Sequence, residues 1–323
     1  MTNNTQTPQW QAVTPHLCSL GESPFWHPDE QMLYWVDIAG KQILRANIYM
    51  GTVQTWDMPS EPGCIAPTQG GGLVIALRHG VFLAPTWGAD LIWLATLDYD
   101  PSQMRANDGK CDALGRFWVG TIDETRSKLN AALFCIDARD SAPGGLPQVS
   151  CKIGPSAGAT TANGLAFSPD NHTLYWANTP SHTVQAWDFD KDTANISAQR
   201  VFASFAPKPP GWLPDAAGHE GGAYGGRPDG ATVDVQGNYW VAMYEGQRIC
   251  QFASDGQLLA SLATPMTCPT MVCLGGEDFQ TLYVTSAQPK GAGAANPLAG
   301  AVVSTRVDVP GLRVNFFRAD KLS

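Results

Sequence analysis

Four residues carry the chemistry best marked in this chain: Glu22, Asn107, Asn163 and Asp229. Each opens a related stretch, reading ESPFW, NDGKCD, NGLAFSPD and DGATVD. Two carboxylates and two amide oxygens suit a hard divalent cation, with water filling the remaining positions. No histidine stands at the corresponding point. His16, His27, His79, His172, His182 and His219 show no HExxH spacing, which disfavours a zinc site of the His/Cys type. His27 and His172 lie in or beside turns and are expected to be exposed, whereas His219 is the one placed to visit a substrate. Taken singly the motifs are weak, because Asn-Gly and Asp-Gly are also common turn dipeptides. Their recurrence in register with a longer repeat sets them apart, and a turn does not account for Glu22. No GxxxxGK[ST] phosphate loop occurs.

The repeat supplies the elements that must position these groups. A polar entry, a short apolar strand, a Pro/Asp/Gly turn and a strand with an aromatic pair recur from Glu22, Asn107, Asn163 and Asp229. Weaker copies start at Ala66 and Pro269, so starts fall about 40 to 65 residues apart, the spacing of propeller blades. Turns such as Pro169-Asp170-Asn171 and Gln236-Gly237-Asn238 carry hairpin chemistry. Helical periodicity is not sustained, and no βαβ units appear. The expectation is an all-β chain: a six-bladed β-propeller of four-stranded antiparallel blades, one domain over residues 1–323. Residues 1–9 are expected to form a disordered tail, and the strand after them to join the last blade and close the ring. In such a ring, equivalent positions at the starts of the inner strands converge on one end of the central channel. The Gly/Pro-rich stretch 207–228 interrupts the spacing just before Asp229, either as a lid or as a surface insertion. Its Trp212 and Tyr224 could stack on a sugar ring or pin the loop down.

Composition bounds the rest. The chain has 323 residues, 44% hydrophobic and 15% charged, which places it among folded globular proteins. A formal net charge of -9 disfavours nucleic acid and anionic membrane surfaces as partners. No apolar run is long enough to span a bilayer, and the polar N-terminus lacks the pattern of a secretory signal. The eight cysteines form no CxxC pair and are read as reduced, mostly buried thiols of a cytoplasmic protein.

The segments GESPFW, RANDGKCDALGRFWVGT, NGLAFSPD and RPDGATVDVQGNYWVA resemble the signature segments of the SMP-30/gluconolactonase family, the regucalcin-like proteins. LGGEDFQTLYVTSA and PLAGAV match its last blade, so the resemblance covers most of the chain. It implies one divalent metal ion in the channel, with calcium, zinc, manganese, magnesium and iron all used within the family. Glu22, Asn163 and Asp229 fall on metal-ligand positions, Asn107 on a residue touching substrate or metal-bound water, and Arg105 on a substrate contact. The implied activity is hydrolysis of aldonolactones, of gluconolactonase or pentonolactonase type. A polarised carbonyl would be attacked by an activated water, with Asp229 as the catalytic carboxylate. The partner would be a small sugar lactone, and the protein a monomer or small homo-oligomer. A metal-dependent esterase or phosphotriesterase on the same fold, or a non-catalytic calcium-binding propeller, stays open. Relatives often carry Asp where this chain has Asn178. An acidic substrate contact lies near Glu124, but the ungapped match falls on Thr125 and leaves that role unassigned.

Overall fold

A computed structural model describes residues 8–126, 128–142, 144–212, 224–288 and 296–319. Among them, twenty-four strands form six four-stranded antiparallel sheets arranged as the blades of a propeller. The only helical elements among these residues are two single 3₁₀ turns. The innermost strands are Gly21–His27, Pro62–Pro67, Met104–Cys111, Ala162–Phe167, Arg227–Val233 and Pro269–Gly275, and they number blades one to six. Each contains a repeat start read from the sequence, at its first residue in blade six and up to four residues further along in the others.

Alternation along the second strand of each blade builds the core. Successive side chains of a strand point to opposite faces. Tyr34 therefore packs in the seam between blades one and two, and Trp35 in the seam between blades one and six. Phe117 and Trp118 divide in the same way between the seams on either side of blade three. Six apolar clusters result, one per seam. The ring is thus held by inter-blade burial of aromatic and β-branched residues.

Two devices fasten the ring. The short N-terminal strand Gln11–Ala12 pairs with Val303 and Ser304 as the outermost strand of blade six, which is the closure expected from the sequence. The C-terminal segment crosses the face at which the inner strands end. Val235 N–H donates to Pro310 O, Gly311 N–H to Phe279 O, Asn315 Nδ2 to Cys111 O and Phe317 N–H to Pro67 O. Phe316 also packs edge-on against His27 of blade one, with ring centres 5.3 Å apart.

His27 corrects its sequence reading. It is only 5% exposed, because it ends an inner strand and its ring lies among Phe25, Tyr34 and Phe316. His172 is exposed as expected. All eight cysteines are unpaired, and all but Cys151 are buried. No helix of the described residues is long and apolar enough to cross a membrane. The proposed tail 1–9 falls mostly outside the described residues, as does His219.

Candidate functional site

Every inner strand is bulged where the candidate ligands lie. The pairing register shifts between Glu22 and Phe25, between Ala106 and Gly109, between Asn163 and Ala166, and between Pro228 and Ala231. A bulge frees residues from the ladder and re-aims their side chains. Asn163-Gly164 and Asp229-Gly230 are therefore strand bulges and not turns. Gly164 has φ +61, and a Cβ there would lie 2.4 Å from the Tyr239 hydroxyl, so the bulge after Asn163 needs glycine.

The bulged residues meet at the channel end where the inner strands begin. Arg105 Nη1 donates to Asn107 Oδ1 at 2.8 Å, and Asn107 Nδ2 donates to Asn163 Oδ1 at 2.7 Å. Asn163 Nδ2 donates to Thr179 Oγ1, which donates to Pro228 O, each at 2.8 Å. This chain of bonds links blades three, four and five. Glu22, from blade one, lies close enough for Asp229 and Asp108 to raise its proton affinity, while Arg105 lowers it. The largest cause of that rise is burial. The Asp229 carboxyl is likewise pushed up, first by burial and then by Asp108, against Arg227 and Arg105. Glu22, Arg105, Asn107, Asn163 and Asp229 are all buried. The sequence-derived residues are thus brought together from four blades.

The donor set fits a hard cation. Two buried carboxylates that repel one another gain from a shared positive charge. Asn163 adds an amide oxygen beside them, while the Asn107 oxygen is turned to Arg105. Glu22, Asn163 and Asp229 are the residues that could hold the ion. Among the described residues, His16, Cys18 and Asp37 also lie within reach of one another, with their polar groups engaged in the fold. Asp37 spends its oxygens on the backbone amides of Ser19, Leu20 and Gly40, and burial pushes the Cys18 thiol up to about 12.

Sequence reasoning missed three neighbours of the site, Asp108, Lys110 and Arg227, and left Glu124 without a role. Asp108 follows Asn107, and burial pushes its carboxyl up to about 6. Its Oδ2 accepts from Leu165 N–H at 2.8 Å, while Oδ1 is buried without a partner. Deeper in the channel, Lys110 Nζ donates to Ala231 O at 2.9 Å. Glu124 is the acidic neighbour of Arg105, at 3.2 Å. Arg227 lies two residues before Asp229 and pairs with Glu245. The sequence signal for Arg227 was available: RPD in blade five answers RAN in blade three.

The insert is anchored from both sides. Trp212 and Tyr224 are buried with ring centres 5.0 Å apart, and the Tyr224 hydroxyl lies 2.8 Å from His182 Nε2. Their observed role is to pin the chain. Asn178 ends its strand with Oδ1 toward Thr160 N–H at 3.4 Å.

Fold and site together define a six-bladed propeller with a buried, carboxylate- and amide-lined centre at one mouth of its channel. Residues 20–288 match the SMP-30/Gluconolactonase/LRE-like region, and the chain belongs to that family. It is 36% identical over 295 residues to a 6-deoxy-6-sulfogluconolactonase of Pseudomonas putida, covering 90% of this chain and 92% of the relative. It is 31% identical to a pentonolactonase of Haloferax volcanii, with 88% and 87% covered. Among solved structures, a calcium-binding regucalcin of Agrobacterium tumefaciens superposes with a TM-score of 0.84 at 21% identity, covering 98% of this chain and all of that one.

Proposed function

We propose that this protein hydrolyses aldonolactones to the open sugar acids with the help of one divalent cation held by Glu22, Asn163 and Asp229. The observation carrying the reading is the meeting of these groups from three blades, with Arg105 and Asn107 beside them. The names of the relatives from Pseudomonas putida and Haloferax volcanii support a lactone ring as substrate, and the name of the regucalcin neighbour supports calcium as one candidate ion. The unpaired thiols support a reducing, cytoplasmic setting.

When bound, the divalent ion supplies Lewis-acid polarisation of the lactone carbonyl. The protein's own groups do the rest. Arg105, fixed by Glu124 and Asn107, presents its remaining N–H groups to ring hydroxyls and orients the ester. Asp229, the carboxylate beside Arg227 and Asn163 at the mouth, accepts the proton of the attacking water. The oxygen of that water bonds to the carbonyl carbon, the ring ester bond breaks, and the ring oxygen leaves as a hydroxyl by taking up the proton held on Asp229.

A panel of aldonolactones followed by proton release, set beside paraoxon-like triesters and elemental analysis, tests the reading. The expected result is one divalent ion per chain, turnover of lactones and not of triesters, loss of turnover on chelation and its return with metal. Turnover unaffected by complete chelation would overturn it. Arg105→Met is expected to lower kcat/KM by about 10²-fold. Arg105→Lys should recover little of that, because an ammonium cannot reproduce the planar fork.

A further inference from the structure

Blade five repeats, two residues ahead of Asp229, a device that blade three carries two residues ahead of Asn107. Arg105 and Asn107 share the strand Met104–Cys111; Arg227 and Asp229 share Arg227–Val233. Each arginine pairs at 3.2 Å with the glutamate directly after the second strand of its blade, Glu124 after Phe117–Asp123 and Glu245 after Tyr239–Tyr244. Each glutamate also holds a second cation. Arg78 Nη2 lies 2.7 Å from Glu124, and Lys208 Nζ lies 2.8 Å from Glu245. Two equivalent arginine positions therefore face one channel mouth from different blades.

The two groups differ in charge. Arg78 has a second carboxylate, Glu61, at 2.8 Å, so the blade-three group sets two cations against two anions. Among the described residues, Lys208 has no carboxylate but Glu245, so the blade-five group sets two cations against one. The adjacent His182 adds no charge at neutral pH, because burial holds its imidazole below the usual range. Within the blade-five group Arg227 Nε and Glu245 Oε2 are each buried without a hydrogen-bond partner, so the Arg227–Glu245 ion pair leaves a guanidinium N–H unspent. A partly buried group with surplus positive charge and a spare guanidinium N–H is built to receive an oxyanion. Neither side chain is fully enclosed, Arg227 being 20% and Lys208 29% exposed.

We propose that Arg227 and Lys208 form a subsite for an anionic substituent, a sulfonate, phosphate or carboxylate, on the exocyclic carbon of the substrate lactone. The neutral blade-three group holds hydroxyls, and the positive blade-five group reads charge at the far end of the same molecule. The inference rests on the lactone reading given above.

The test compares kcat/KM for a neutral hexonolactone with that for the same lactone bearing a 6-sulfonate, a 6-phosphate or a 6-carboxylate. The wild type is expected to favour at least one charged form by tenfold or more, with an advantage that shrinks as salt is raised. Arg227→Met should cut that ratio at least tenfold, Lys208→Gln should cut it as well, and Arg227→Lys should restore part of it. Equal use of neutral and charged lactones by the wild type would overturn the subsite, as would a loss shared equally by both in Arg227→Met. Calorimetric binding of glucose, glucose 6-sulfonate and glucose 6-phosphate separates this from the lactonase reading. Binding of a charged sugar that depends on Arg227, without lactone turnover, keeps the subsite and rejects the hydrolase. Lactone turnover with no charge preference, and no preferential binding of the charged sugars, does the reverse.

Discussion

Asp229→Ala is expected to abolish lactone turnover, by on the order of 10³-fold or more in kcat, while the propeller keeps its fold. The carboxylate is asked to do two things, to bind the cation and to take the proton of the attacking water. Removing it also leaves Glu22 as the one remaining carboxylate of the proposed ligand set, so retention of the ion through dialysis should fall sharply. Stability should not fall in step. Asp229 sits in a bulge and not in the ladder, and its carboxyl is disfavoured in the protein by burial and by Asp108. Relief of that repulsion offsets part of the lost packing. The checks are initial rates, bound metal by elemental analysis, and thermal unfolding. Glu22→Gln serves as the companion, expected to weaken metal retention while leaving Asp229 in place. Wild-type turnover in Asp229→Ala would remove the basis of the mechanism.

The largest expected loss of stability lies elsewhere, at Asp112. Its Oδ1 accepts the backbone N–H of Leu114 and Arg116, and its Oδ2 accepts from Arg116 Nε at 2.6 Å and Trp118 Nε1 at 2.9 Å. Asp112 and Arg116 are each about 1% exposed. Asp112→Ala strands a buried guanidinium, which costs about 3–5 kcal/mol. Blade five provides an internal control. Asp234 makes the same turn, accepting from Gln236 and Asn238 backbone N–H, Asn238 Nδ2 and Trp240 Nε1, but with a neutral partner in place of arginine. Asp234→Ala should therefore cost less, about 1–3 kcal/mol. Denaturation midpoints of the two variants decide the matter. Equal losses would mean that the turn, and not the buried charge, carries the stability.

Much of this architecture was readable in the sequence because the repeat states it six times. The aromatic pairs Tyr34-Trp35, Phe117-Trp118, Tyr175-Trp176 and Tyr239-Trp240 mark the second strands, and the polar entries mark the start of the first. Glu22, Asn163 and Asp229 were legible because they recur in register. The rest escaped for physical reasons. Asp108 and Lys110 occur in one blade only, and a bulge between Ala106 and Gly109 disturbs the alternation that would tell which way they point. Glu124 lies just past a strand end, where no alternation tells which way a side chain points. The burial of His27 depends on Phe316, which is distant in sequence and arrives with the C-terminal segment.

That segment has a mechanical meaning. A circle of repeats held only by contacts between neighbours can part at its first-to-last junction and open like a fan. Here the junction carries a strand borrowed from the N-terminus, and the opposite end of the chain is stitched to blades one, two, three, five and six. Loosening almost any wedge therefore tugs on a tie common to the others. Such a ring is suited to melt as one cooperative unit, and the axial centre on the far side rests on a floor that resists shear.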